Sequence, residues 1–336
     1  MIKKKKIGIV VCMLVIATIL LCGEVSAVPS LISRVIPKTT TGTTLQQTWI
    51  VDNEPGDGNF TLISVAIADS QVKDGDIIDV YSGTYIENVI VNKQLIINGI
   101  DHEYKTGSDT GKPDVQSYTG LFNDVFKVVH DSVTIEGFKA SKGHSGIDLV
   151  SSKNHHIINN FLTENYVGVW LYMSDNNEIT DNNMSLNYEV GIYLDDSNTN
   201  TIEGNWVEYN PNTGIWIVSG TNNLIYNNFF KNPNNAMDGG SNNRWNVAPI
   251  INSGFNICKG LGLGLRIGGN YWSDYKIDNW PFPPWILYNV ASWHPAYTIP
   301  GTANSVDKHP IPGFEFLVFI AAFAIAFIIL RKRKSK

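Results

Sequence analysis

Between residues 146 and 236 the chain writes one pattern four times: GIDLVSSKNHHIINNFLTENYV, GVWLYMSDNNEITDNNMSLNYEV, GIYLDDSNTNTIEGNWVEYNPNT and GIWIVSGTNNLIYNNFFKNPNNA. The leading glycines are Gly146, Gly168, Gly191 and Gly214, so the period is 22, 23 and 23 residues. A fixed period in the range of about 20–50 residues means stacked units that bury a shared core. After each glycine, apolar residues alternate with variable ones: Ile147 and Leu149, Val169 and Leu171, Ile192 and Leu194, Ile215 and Ile217. That period of two is a strand with one buried face.

Further along each unit another apolar position recurs as Ile157, Ile179, Ile202 and Ile225. Asn160, Asn182, Asn205 and Asn228 follow, and then Leu162, Met184, Val207 and Phe230. A second column holds His155, Asn177, Asn200 and Asn223. An asparagine amide both donates and accepts, so stacked copies at a turn can satisfy one another and the turn backbone. These columns read as scaffold. No stretch of the unit is long enough for a helix, and neither the leucine spacing of a leucine-rich repeat nor a six-residue period is present. The pattern predicts an all-β fold, a right-handed parallel β-helix.

The series extends backward less regularly through SVTIEGF (132–138), VFKVV (125–129) and DGDIIDVYSGTYIENVIVNKQLIINGI (74–100). FTLISVAIADS (60–70) has apolar residues near helical spacing and is expected to cap the open end, since an uncovered coil exposes strand edges and core. Trp272, Trp280, Trp285 and Trp293, with neighbouring prolines, predict an aromatic-rich C-terminal cap.

The chain begins with a basic stretch, an apolar run and a small-residue exit at Ala27, the pattern of a secretory signal peptide. It ends with an apolar run of about 17 residues, 314–330, near the lower limit for a membrane span, and then RKRKSK, which the positive-inside rule keeps cytoplasmic. The expected organisation is signal peptide 1–27, linker 28–47, parallel β-helix 48–250, cap region 251–309 and membrane anchor or sorting signal 310–336. The body is then extracellular and held at the cell surface.

Removing four leader lysines and five tail cations from 25 leaves 16, and removing Glu24 and Glu315 from 31 acids leaves 29, so the exported part carries a formal charge of −13. That argues against nucleic acid as a partner. Cys258 alone remains after the leader is lost, so no intrachain disulfide forms in the mature body. Asn59 and Asn183 open glycosylation sequons.

Three blocks resemble NosD-like proteins and the β-helix repeats of carbohydrate-binding and sugar-hydrolysing surface proteins of methanogenic archaea: the 74–100 segment, the four coils, and GGNYWSDY (268–275) with PAYTIPGTANSVDKHPI (295–311) after it. The resemblance implies a pectin-lyase-like solenoid. It also implies an acidic, calcium-type loop after NYWSDY. This chain has KIDNWPFPPWILYNVASWH there, which leaves Asp274 and Asp278 as a poor remnant; no cofactor is expected. IPGFEF (311–316) before the apolar run resembles a PGF-type sorting signal, which implies a lipid anchor in place of a membrane span.

Alternation turns Lys127, Asp148, Trp170, Tyr193 and Trp216 outward in successive coils. Coils stack about 4.8 Å apart, so Trp170, Tyr193 and Trp216 are expected to form an exposed aromatic stripe, with Asp148 and Lys127 at its polar end. Sugar rings pack on such surfaces. The reading is therefore a glycan-binding or structural envelope protein whose partners are surface glycans or envelope polymers. The alternative is a polysaccharide lyase, hydrolase or epimerase, drawing on the outward carboxylates Asp195, Asp196 and Glu203. Glycoside cleavage needs two carboxylates spaced across a groove, and no such dyad stands out from the acids expected in any solvated turn. NosD kinship also raises copper handling, but the body offers no ligand-spaced cluster of His, Met or Cys beyond His155-His156.

Overall fold

The computed structural model describes residues 46–245, 270–272, 297–298 and 306–307. Three parallel sheets run the length of the solenoid. The seven-stranded sheet runs from Val89–Val91 to Asn234–Asp238 and holds the strands that follow the repeat glycines. The other two have eight strands each and begin at Thr48–Val51 and Thr84–Ile86. Pairing is in register from coil to coil, Ile147 to Val169 to Ile192 to Ile215, so each repeat is one turn of an all-β parallel β-helix.

Every apolar column read from the repeat is buried: Ile147, Leu149, Ile157 and Leu162, with their counterparts in later coils, are all 0% exposed. The glycine column has a separate cause. Its φ angles are ordinary, but a Cβ on Gly168 would meet the Gly191 carbonyl oxygen at 2.5 Å, and one on Gly191 would meet that of Gly214 at 2.7 Å. The backbones of adjacent coils pass too close there for any side chain.

The amide columns are hydrogen-bonded ladders. The backbone N–H and Nδ2 of Asn182 both donate to Oδ1 of Asn205, at 2.9 and 3.1 Å, while Nδ2 also donates to the Ile157 carbonyl at 2.8 Å. Asn177, Asn200, Asn223 and Asn243 repeat the scheme in the His155 column. A third ladder, Asn165, Asn187, Asn210 and Asn232, is not among the columns predicted above. At all three corners a left-handed residue precedes the ladder asparagine, such as Asn159, Asp181 and Asn227 in one column. In the third column these residues are Glu164, Leu186 and Tyr209, types that rarely adopt φ near +60°. Their side chains give no turn signal, so the corner is hidden from a compositional reading.

The segment expected to cap the N-terminal end contains the helix Ile63–Ala68, which buries Ile63, Ala66 and Ile67. The Glu87 carboxylate accepts from the backbone N–H groups of Ile63 and Ser64, both at 2.8 Å, which satisfies two donors at the helix start. At the other end, residues 270–272, the NYW of GGNYWSDY, continue the scaffold. Asn270 accepts from Asn228 Nδ2 at 3.0 Å, and Tyr271–Trp272 pairs with Phe229–Lys231 as one more parallel strand. Tyr297–Thr298 and Val306–Asp307 form a small antiparallel pair. The expected signal peptide, most of the expected C-terminal cap, Asp274, Asp278 and the expected anchor lie outside the described residues.

A scaffold this rich in buried amides leaves few orphans. Among the described residues, two buried side-chain atoms meet no hydrogen-bond partner, Trp170 Nε1 and Asp52 Oδ2. Buried orphans cost about 1–3 kcal/mol each.

Candidate functional site

The outward column of the seven-stranded sheet reads Ile90, Lys127, Asp148, Trp170, Tyr193, Trp216 and Met237, each in register with the next. The expected stripe is therefore continuous, but its geometry differs from the expectation. Trp170, Tyr193 and Trp216 are half-buried, not exposed. Trp170 meets Tyr193 edge-to-face at 5.1 Å and 70°, and Tyr193 meets Trp216 at 5.4 Å and 75°. The edge-to-face arrangement sets the positive edge of each ring against the negative face of its neighbour. Burial, and then the charge of Asp195, raises the Tyr193 phenol above its usual range.

At the N-terminal end of the stripe the structure assembles a group that the sequence did not bring together. Asp148 is 7% exposed, although its strand position faces outward. Its carboxyl is in hydrogen-bond contact with that of Asp124, which lies one coil earlier. Lys127 Nζ stands 3.5 Å from Asp148 Oδ2 and 3.7 Å from Asp124 Oδ2. His144 Nδ1 is 3.5 Å from Asp124 Oδ1. The His144 ring stacks on Tyr166 at 5.4 Å and lies 5.1 Å from Trp170, so it joins the charged group to the aromatic column.

The two carboxyls are pushed in opposite directions. Burial, and then the charge of Asp124, raises Asp148 to about 7, and Lys127 only partly offsets this. Burial acts the same way on Asp124, but hydrogen bonds from His144 and Asp148 and the charge of Lys127 outweigh it and hold Asp124 below the usual range. At neutral pH the pair therefore shares a proton, beside an ammonium and an imidazole. Such a group both donates to and accepts from hydroxyls.

The other sequence candidates lie elsewhere. Asp195 Oδ1 accepts from Ser219 Oγ at 3.0 Å, and Asp196 is an exposed left-handed corner residue. Glu203 belongs to a different sheet, where Tyr226 Oη donates to it at 2.5 Å. The three do not converge. His155 is buried within its ladder, with Nδ1 accepting from Val133 N–H at 3.1 Å, while His156 pairs with Glu178 at 3.1 Å. Asn59 is exposed, and Asn183 is half-buried beside Trp206 in the next coil. Trp206 stacks flat on Phe229 at 3.8 Å, a second aromatic surface that the repeat pattern did not single out.

Asp124, His144 and Tyr166 were missed because they sit in the irregular coils and corners. Their one signal is register: Asp124 occupies the position that holds Ser145, Val167, Val190 and Thr213 in later coils.

Comparison with known proteins follows from this geometry. The model of the family described as "Periplasmic copper-binding protein (NosD)" matches residues 56–277. A "Cell surface glycoprotein" of Methanothermus fervidus is 31% identical over 121 residues, which is 34% of this chain and 17% of that protein. The chain thus aligns with well under two thirds of that relative's length. The crystal structure of the periplasmic alginate epimerase AlgG aligns over 48% of this chain and 49% of its own, with a TM-score of 0.30 and 16% identity.

Proposed function

Since this chain belongs to the NosD family, we propose that it is an exported cell-surface β-helix protein that binds envelope glycans along the Trp170–Tyr193–Trp216 column. One observation carries the reading. Three half-buried rings run in register into a proton-sharing carboxyl pair with a lysine and a histidine beside it. Sugars need both parts, apolar ring faces for C–H groups and charged donors and acceptors for hydroxyls. The cell-surface location is supported by the leader and tail patterns, by the description of the family as periplasmic and by the name of the archaeal relative.

A glycan array probed with the full-length chain tests this. Trp170→Ala with Trp216→Ala is expected to weaken binding at least about tenfold, from the loss of two ring contacts. Undiminished binding by the folded double variant sinks the proposal.

A second reading is favoured by the opposed shifts of Asp148 and Asp124, because carboxyls pushed apart mark acid and base roles. Their direct contact does not fit the wider separations, about 5–9.5 Å, of glycoside hydrolysis. It suits a single proton transfer on an acidic sugar, as in elimination or epimerisation. Release of unsaturated sugar from acidic polysaccharide, lost in Asp148→Asn, would replace the binding reading with this one.

The copper in the family's description does not fit the donors seen here. Among the described residues, the His, Cys, Asp or Glu group compact enough to share an ion is entirely carboxylate, whereas copper favours imidazole and sulfur.

A further inference from the structure

The other orphan atom, Asp52 Oδ2, lies far along the chain from the aromatic column, at the end of the strand Thr48–Val51. Asp52 is 0% exposed. Its Oδ1 accepts from the Glu54 backbone N–H at 3.1 Å, while Oδ2 meets no donor. A buried carboxylate in that state is costly unless a counter-charge is supplied.

What faces it is more negative charge. One carboxylate oxygen from each of Asp52, Glu54 and Glu103 lies within 4.8 Å of the other two. Oxygens bound to one calcium ion at roughly 2.4 Å can stand at most about 4.8 Å apart, so the three satisfy the spacing of a common ion. The two lysines between residues 100 and 113 are committed elsewhere. Lys105 Nζ donates to the Asp57 carbonyl at 2.9 Å, and Lys112 Nζ to that of Asn159 at 2.6 Å.

The cluster is also held in place without an ion. Glu103 belongs to turn 100–113, which leaves the strand Ile96–Gly99 and returns at Asp114–Gln116. The Asp57 side chain accepts from the Thr106 N–H at 2.8 Å and from the Thr106 hydroxyl, which staples this turn to the loop after Asp52. Gly107, at φ +117°, passes over the cluster; a Cβ there would strike Glu103 Oε2 at 2.4 Å and approach Glu54 Oε1 at 3.2 Å. Backbone N–H groups of Tyr104 and Asp109 fix the Glu103 carboxylate, both at 3.1 Å.

We infer that Asp52, Glu54 and Glu103 form a binding site for a hard divalent cation, calcium, which fastens turn 100–113 to the first coil. The donor set is all oxygen and three carboxylates strong, which suits calcium over copper or zinc. Backbone carbonyls and water would complete the shell. The site is separate from the glycan column and does not depend on it.

Calorimetric titration of calcium chloride into the chelator-stripped full-length chain is expected to give one saturable site per chain and a calcium-dependent rise in melting temperature. Glu103→Gln and Glu54→Gln are each expected to weaken that binding at least about tenfold, because calcium affinity follows ligand charge. The two variants keep the test decisive if one of them fails to fold. Absence of calcium heat and of any melting shift in the wild-type chain overturns the inference, and so does undiminished binding in the folded variants.

Discussion

The regular coils 146–236 and the irregular coils before them use the same three sheets but satisfy their buried polar groups differently. In the regular coils the buried polar side chains are chiefly asparagines, each linked to the next coil and to a carbonyl of the preceding coil. The earlier coils bury carboxylates instead. Asp76 and Glu87 are buried there, each satisfied by a local arrangement of its own, Asp52 keeps one oxygen without a donor, and Asp148, in the first regular coil, meets Asp124 and Lys127 of the coil before it. A neutral amide ladder repeats because every rung is both donor and acceptor. A carboxylate only accepts, so it cannot repeat and must find a donor, a proton or a cation. Regularity builds the rod, and the departures from it admit charge and hence chemistry.

The sharpest way to break this contrast is to cut a rung. Asn205→Ala leaves the Asn182 backbone N–H without its acceptor and removes a second bond from the Ile179 carbonyl, at about 3 kcal/mol in total. Asn98→Ala in an early coil, which loses one half-buried bond to Asp79, should cost about 1 kcal/mol. Chemical denaturation of both variants compares the two regions directly, and equal losses would refute the contrast.

His155 is the rung where a titratable ring replaces an amide. Burial lowers its pKa from the usual 6.5 to about 4. Between those values the unfolded chain binds a proton that the folded chain does not, so stability is full above pH 6.5 and is lost as pH falls toward 4, by about 3 kcal/mol. His155→Asn, which matches Asn177 in the next coil, should flatten melting temperature across that window. A slope unchanged from wild type would assign the acid sensitivity to other groups.

Gly191→Ala probes the close approach of coils. Its methyl meets the Gly214 carbonyl oxygen at 2.7 Å and Val207 Cγ1 at 2.4 Å, so a loss of about 2 kcal/mol is expected by thermal melting. A neutral result would show that the glycine column has a role other than spacing.

The smallest expected effect has the opposite sign. The raised pKa of Asp148 means that the folded chain holds a proton the unfolded chain releases, so its contribution is best below the usual carboxylate pKa of 3.8 and is lost as pH rises toward about 7. Asp148→Asn should therefore stabilise the chain by about 1–2 kcal/mol at pH 8 and less at pH 5, since Asp124 and Lys127 share the adjustment. A destabilised variant at pH 8 would mean that the Lys127 pairing outweighs the cost of burial.

Much of the scaffold was legible residue by residue. The alternation after each glycine gave the buried faces of the seven-stranded sheet, and the recurring asparagines gave two of the three ladders. The third, Asn165, Asn187, Asn210 and Asn232, recurs at spacings of 22, 23 and 22 residues and was legible by the same rule, although its corners hold Leu186 and Tyr209 in place of turn residues. In the candidate site, Asp148, Trp170, Tyr193 and Trp216 were found by register, but Asp124 and His144 were not, because the coil before residue 146 is not a copy of the later ones.

The sequence by itself determined the coil period, the buried columns and the outward column, because each is a local rule repeated at fixed spacing. Only the tertiary structure decided which carboxylates meet. Asp124 reaches Asp148 across one irregular coil, and Glu103 reaches Asp52 by way of a turn inserted two coils later. It also decided that the aromatic column is half-buried, because each ring packs its edge against the face of the next.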